Sequence, residues 1–329
     1  MTFVSIIVPC YNEEKTIGLL LNAVYLQTYP RDHLEVVIAD GHSRDRTRQE
    51  IAAFGQEHPD LSLRLVDNDR QIIPAALNAA ILAARGEIII RLDAHSVPAV
   101  DYVERCVVHL QAGQGENVGG VWQIRAGEQT WIGRSIASAA SHPLGVGDAL
   151  YRYASEPGWV DTVPFGSFQR KLIEKIGLFD ETLLTNEDYE FNTRVRQAGG
   201  RIYLDPQIRS QYFARSDLGS LARQYWRYGF WKWRMLRRYP ATVRWRQALP
   251  PLFVMGIFGL LVISIFWQPA LVLLGFLLGL YGFSLVLAAV PVAIRAKEPA
   301  QVIGIPLAIV TMHFAWGAGF LWSILRSGK

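Results

Sequence analysis

Four places in the chain set ionisable side chains where chemistry can use them. The apolar run Val4–Ser5–Ile6–Ile7–Val8 gives way to Pro9–Cys10–Tyr11–Asn12–Glu13. A second run, Leu34 to Ala39, ends in Asp40–Gly41, and a third, Glu87 to Leu92, ends in Asp93–Ala94–His95. Farther on, Thr185–Asn186 leads into Glu187–Asp188, with Phe191 and Val195 at a spacing of four.

A carboxylate before glycine at a strand end can accept an N–H from a pyrimidine ring, and Tyr11 can lie against that ring. Asp–Gly is equally an ordinary turn. Asp93 and His95, one residue apart, can point the same way toward a divalent ion that bridges two phosphates. Carboxylate plus imidazole suits Mn2+ or Mg2+, the imidazole favouring Mn2+. Read alone, the tripeptide is a helix cap followed by a surface histidine. Asn186 reads as an N-cap, which puts Glu187 and Asp188 in a first helical turn. The dipole there favours ionised carboxylates, a natural setting for a general base.

The elements that must hold these residues alternate. Strand-like runs at Val4–Val8, Leu34–Ala39, Leu61–Val66 and Glu87–Leu92 are separated by helical patterns through Ile17–Val24, Ile51–Phe54 and Ala75–Ala84, with Pro74 suited to a first turn. Such alternation implies an α/β fold with a mixed, mostly parallel sheet covered on both faces. Ligands bind outside the carboxyl ends of such strands, where Asp40 and Asp93 fall. No Gly-x-Gly-x-x-Gly follows the first strand, which disfavours a dinucleotide-dependent dehydrogenase.

Three segments with almost no charge close the sequence: Leu249–Trp267, Ala270–Ile294 and Gln301–Leu325. Each is near the roughly 20 residues that span a bilayer. Arg237, Arg238, Arg244 and Arg246 precede the first span and place its start in the cytoplasm. Two crossings return Arg295 and Lys297 to that side; a third would carry Arg326 and Lys329 outward, against the charge rule. A re-entrant first segment is the alternative. Between Asp217 and Tyr239, a helix would gather Arg223, Arg227, Arg234, Arg237 and Arg238 on one arc. Tyr225, Trp226, Tyr228, Trp233 and Leu236 would lie opposite, as in a helix lying in the headgroup layer. The expected organisation is residues 1–210 as the α/β domain, 211–248 as this amphipathic interface segment and 249–329 as about three transmembrane helices.

The net charge of +4 is too small to argue for nucleic acid, and two cysteines, Cys10 and Cys106, give no disulfide framework. The N-terminal apolar run is short and lacks a basic leader, so the α/β domain is expected to stay in the cytoplasm, at a bacterial inner membrane.

Taken together and in this order, the motifs resemble those of the family 2 glycosyltransferases, which have the GT-A fold. The likeness covers Phe3 to about Pro206. Asp93–Ala94–His95, Asp161–Thr162–Val163, Gly166, Asn186–Glu187–Asp188 and Arg223–Gln224–Tyr225–Trp226–Arg227–Tyr228–Gly229 look like bacterial succinoglycan-type glucosyltransferases. This resemblance implies an inverting, metal-dependent hexosyltransferase that moves a sugar, glucose first, from a UDP-sugar to a polyprenyl-diphosphate-linked glycan in exopolysaccharide synthesis. It implies that Pro9, Tyr11, Glu13, Asp40, Asp93, Gly166 and Arg227 bind the nucleotide sugar, Tyr11 and Asp40 holding uracil. It makes Asp93 and His95 the metal ligands (Mn2+ or Mg2+), and Asp188 the base with Glu187 in support. Arg223, Gln224, Trp226 and Arg234 would meet the lipid-linked acceptor. The pattern departs from the family at Ala39–Asp40, where two aspartates are usual, and at His95, which replaces a second aspartate. Gln224–Tyr225–Trp226–Arg227–Tyr228 is a near-match to a processive-synthase signature. A processive polysaccharide synthase and a polyprenyl-phosphate glycosyltransferase are therefore the alternatives within this class; a non-catalytic membrane scaffold or transporter is the alternative outside it.

Overall fold

The computed structural model describes residues 1–326; Lys329, invoked above for the third crossing, lies outside the described residues. Among the described residues nine strands run in chain order as β1 (Val4–Cys10), β2 (Leu34–Asp40), β3 (Ser62–Asp67), β4 (Ile88–Arg91), β5 (Val97–Pro98), β6 (Asn117–Arg125), β7 (Gly158–Trp159), β8 (Ser167–Gln169) and β9 (Ile202–Phe213). The helices through the first part are α1 (Ile17–Tyr25), α2 (Thr47–Glu57), α3 (Ile73–Ala83), α4 (Tyr102–Gln111), α5 (Trp131–Ala140) and α6 (Pro143–Val146). Then follow α7 (Lys171–Ile176), α8 (Glu187–Gln197), α9 (Leu218–Leu236), α10 (Trp245–Ser264), α11 (Pro269–Ala296) and α12 (Gln301–Arg326).

The chain divides into two compact units: Met1–Gln123 with Tyr153–Tyr212, and Ile124–Arg152 with the chain from Phe213 onward. The first unit is built on the sheet order β3-β2-β1-β4-β8-β6-β9-β5, with β7 pairing β9. β1 pairs with β2 and β4 in parallel and β2 with β3 in parallel, whereas β8 joins β4 and β6 antiparallel. β2 is buried along its whole length and β1 nearly so, as expected for apolar strands covered on both faces. Their core includes Ile6, Val8, Val36, Ile38, Ile90, Leu20, Leu21 and Tyr102. β3, at the sheet edge, alternates exposed and half-buried positions instead.

Register positions the site. Cys10 lies opposite Asp40, Asp40 opposite Asp67, and Ile7 opposite Arg91. The turns after β1, β2 and β4 therefore leave the sheet along one edge. Between β1 and β4 the strand order reverses direction, the place where open α/β sheets form a crevice.

In the second unit, α10, α11 and α12 are long and apolar enough to cross a membrane. α5 packs on α12, and α9 packs along it. Residues 131–140, which the sequence reading assigns to the α/β domain, thus belong to this unit. Arg223, Arg227 and Arg234 lie exposed along α9, with Arg237 and Arg238 just past its end, but its inward face is Leu221, Tyr225, Gly229, Lys232, Met235 and Leu236. Trp226, expected opposite the arginines, is exposed beside Arg223 and Arg227.

Candidate active site

The site is organised by Arg91, a residue that none of the sequence motifs singles out. It ends β4, and its side chain is 4% exposed. A cation so deeply placed needs partners. The guanidinium has three. Nη2 donates to Asp93 Oδ1 at 3.1 Å and to Glu187 Oε1 at 3.0 Å, and Nη1 donates to Asp188 Oδ1. Two acidic clusters nearly a hundred residues apart are thus joined through one fork of donors. The Arg91 N–H donates to the carbonyl of Gly166 at 3.1 Å. A β-carbon on Gly166 would lie 2.3 Å from Asn117 Oδ1, so only glycine lets this strand entry come close enough. Gly166 acts here through its backbone, behind Arg91.

Glu187 and Asp188 open α8 as expected. Asn186 stands at the N-cap position in left-handed backbone, φ 69°, without the side-chain capping bond that the sequence suggested. The helix is pinned elsewhere: Tyr189 Oη donates to Asp161 Oδ2 at 3.1 Å, and Asn192 Nδ2 to Thr162 Oγ1 and the Val163 carbonyl at 3.0 Å. Asp161–Thr162–Val163 thus fixes the orientation of α8.

Three carboxylates around one guanidinium leave an excess of negative charge if all are ionised. Burial raises the Asp188 pKa; Arg91 lowers it, and Glu187 and Asp93 raise it further, to about 7 overall. A carboxylate poised near neutrality suits proton abstraction at physiological pH.

Across the crevice, His95 Nδ1 and Glu13 Oε1 are 3.0 Å apart. This pairing, between the turn after β4 and the turn after β1, orients the imidazole. Among the described residues no group of three His, Cys, Asp or Glu could cage a metal ion. Asp93 supplies one carboxylate of the kind an Mg2+-type ion takes along with waters and substrate phosphates, and the His95 imidazole is a donor that suits Mn2+. Asp93 is 21% and His95 43% exposed.

Pro9 and Tyr11 lie at the end of β1. Tyr11 is 44% exposed, with its ring against Gly41, where a β-carbon would come within 3.2 Å of Tyr11 Cδ2. Asp40 is fully buried. It accepts from Ser43 Oγ at 2.5 Å, Ser43 N at 3.0 Å and Arg48 Nε at 2.6 Å. Its visible work is to shape the turn beneath Tyr11. Further bonds tie that turn to the one after β1: Asn12 N to Ser43 Oγ at 2.8 Å, and Glu13 N to Thr47 Oγ1 at 2.7 Å. Arg223, Gln224, Trp226, Arg227 and Arg234 all lie on α9 in the second unit.

A family model described as glycosyl transferase family 2 matches residues 5–177. The chain is 28% identical over its full length, and 99% of the relative's, to a dolichyl N-acetyl-alpha-D-glucosaminyl phosphate 3-beta-D-2,3-diacetamido-2,3-dideoxy-beta-D-glucuronosyltransferase of Methanococcus voltae. To the succinoglycan biosynthesis protein ExoA of Rhizobium meliloti it is 29% identical over 97% of this chain and 94% of that one. Among solved structures, the mannosyltransferase PcManGT of Pyrobaculum calidifontis, in complex with GDP-Man and Mn2+, superposes with a TM-score of 0.66 at 22% identity, covering 98% of this chain and 87% of that chain. The shared fold is GT-A-like.

Proposed function

From the premise that this chain belongs to glycosyl transferase family 2, we propose that it is an inverting transferase carrying a hexosyl group from a UDP-sugar to a lipid-linked acceptor. The observation that carries this reading is the convergence of Asp93, Glu187 and Asp188 on Arg91.

Tyr11 stacks on the uracil above the turn that Asp40 holds. Asp93 and His95 would hold a divalent ion, which when bound would offset the negative charge that develops on the leaving diphosphate. Arg91 keeps Asp188 in place. Asp188 accepts the proton of an acceptor hydroxyl while its oxygen attacks the anomeric carbon from the face opposite the diphosphate. Glu187, at the same guanidinium, keeps Asp188 basic. One displacement with one base inverts the anomeric centre, so an α-linked donor gives a β-linked product.

The acceptor's lipid character is supported by the apolar helices and by the two full-length relatives, whose names refer to a dolichyl phosphate sugar and to succinoglycan synthesis. Arg223, Arg227 and Arg234 form the exposed face of α9 and suit lipid phosphates at headgroup level, with Gln224 and Trp226 beside them.

Membranes containing the protein, incubated with radiolabelled UDP-sugars and with GDP-mannose, test this reading. Label from a UDP-sugar should enter the lipid extract in Mn2+ or Mg2+. It should fall on the order of 10²-fold in chelator, since a Lewis-acidic ion supplies several kcal/mol at the transition state. Label that stays water-soluble, or transfer indifferent to chelator, would defeat the assignment.

A further inference from the structure

α12 is more deeply packed than α10 and α11: 39% of its most apolar stretch is buried within the protein, against 11% and 17% for the other two. Its first turn is held by α5. Ser138 Oγ donates to Gln301 Oε1 at 3.1 Å, and Gly304 approaches so closely that a β-carbon would sit 2.1 Å from Ser135 Oγ. The loop before it is clamped as well, with Arg134 Nε 2.7 Å from Glu298 Oε1. Its other half is held by α9. A β-carbon on Gly229 would lie 2.0 Å from the Trp316 carbonyl, and one on Gly319 would lie 2.3 Å from that of Trp226. The rings of Trp233 and Phe320 meet edge to face at 5.4 Å.

α12 also packs on α10 and α11, with Tyr281 Oη 2.9 Å from His313 Nδ1, but neither α5 nor α9, which hold its two ends, crosses a bilayer. α5 has only 10 residues, and α9 exposes Arg223, Arg227 and Arg234. Between them no described helix is long and apolar enough to span. Both therefore lie on one side, and they hold opposite halves of α12. A second observation agrees. A β-carbon on Gly317 would lie 2.5 Å from the carbonyl of Pro250, which follows Arg246 by about 6 Å of helix. Arg246 marks the cytoplasmic entry of α10, so Gly317 is close to that interface. Gln301, about 24 Å of helix away, is held at the same side through α5.

We propose that α12 does not cross the membrane. It lies in the bilayer surface beside α9, and the hairpin α10–α11 alone anchors the chain. Its partner is the lipid surface itself. Exposed Ile303, Leu307, Trp322 and Leu325 share one side of α12 and face the acyl boundary, while the arginines of α9 face anionic headgroups. Arg326 then stays with Arg295 and Lys297, which removes the conflict with the charge rule.

Cysteine accessibility in sealed vesicles tests this. The full chain is prepared as Gln268→Cys, Lys297→Cys or Arg326→Cys; Cys10 and Cys106 are buried background. With a membrane-impermeant maleimide, Lys297→Cys and Arg326→Cys should label from the same side, and Gln268→Cys only from the other. A green fluorescent protein fused to the C-terminus in a bacterial host should fluoresce, since it matures on the cytoplasmic side. Labelling of Arg326→Cys from the Gln268 side, or a full-length but dark fusion in the membrane, overturns the proposal.

Discussion

Replacing Asp188 with asparagine should reduce sugar transfer by about 10²–10⁴, the usual worth of a positioned general base, while nucleotide binding stays within about twofold. Asparagine keeps the side-chain shape and an oxygen that can accept from Arg91, but it cannot take a proton. The substitution also relieves crowding. Arg91 would then face two carboxylates, Asp93 and Glu187, instead of three. Thermal stability should therefore be unchanged or slightly higher, which separates lost chemistry from lost folding. Turnover near the wild-type rate would remove Asp188 from the role of base.

The second large effect concerns Arg91, and it should appear in stability as well as in activity. In Arg91→Met, three carboxylates lose their shared counterion in a setting where the arginine is 4% and Glu187 9% exposed. Removing one partner of a buried ion pair costs about 3–5 kcal/mol. For a chain of this size each kcal/mol is worth about 2–4 °C, so the melting temperature should fall by about 6–20 °C. The penalty should shrink toward acid pH, where the abandoned carboxylates can protonate. Arg31 with Asp60, exposed at 40% and 48%, is the contrast: breaking that pair should cost about 0–1 kcal/mol. Equal effects at the two sites, read by thermal unfolding in detergent, would mean that Arg91 is not the organising charge.

Much of this was legible in the sequence because burial on both faces leaves a plain mark. β1, β2 and β4 are mostly apolar, with Ser5 and Glu35 the interior exceptions, and the residues that end them are the ones that line the sheet edge. The apolar helices declared themselves in the same way. Arg91 did not, since one charge at the end of Ile88–Ile89–Ile90 looks like a strand reaching solvent. The signal was there in a weaker form, because the following Leu92 is still apolar and a cation inside such a run needs acidic company. Asp40 has a structural task that its sequence position does not reveal. Its position at a strand end fits a ligand contact, and its carboxylate also accepts hydrogen bonds from Ser43 and Arg48 that shape the turn. The two antiparallel partners β4 and β8 meet over three residues of β8, too few to leave a periodic trace. Nor does periodicity reveal which apolar helix meets lipid and which meets protein. Glycine spacing on α12, matched to Gly229 on α9, decides that, and only coordinates bring the two together.

Burial, together with Glu187 and Asp93 crowded at the same guanidinium, outweighs the pull of Arg91 and keeps Asp188 basic near neutrality. The pH dependence of kcat/KM addresses this balance directly, because that profile reports the free enzyme. Asp188 is protonated and idle below its pKa, so the rate should climb with pH, about tenfold per unit, and level off above about 7. Glu187→Gln removes a neighbouring negative charge and should move that limb to lower pH. A limb in the ordinary carboxylate range in the wild-type protein, or one that Glu187→Gln leaves in place, would contradict the account.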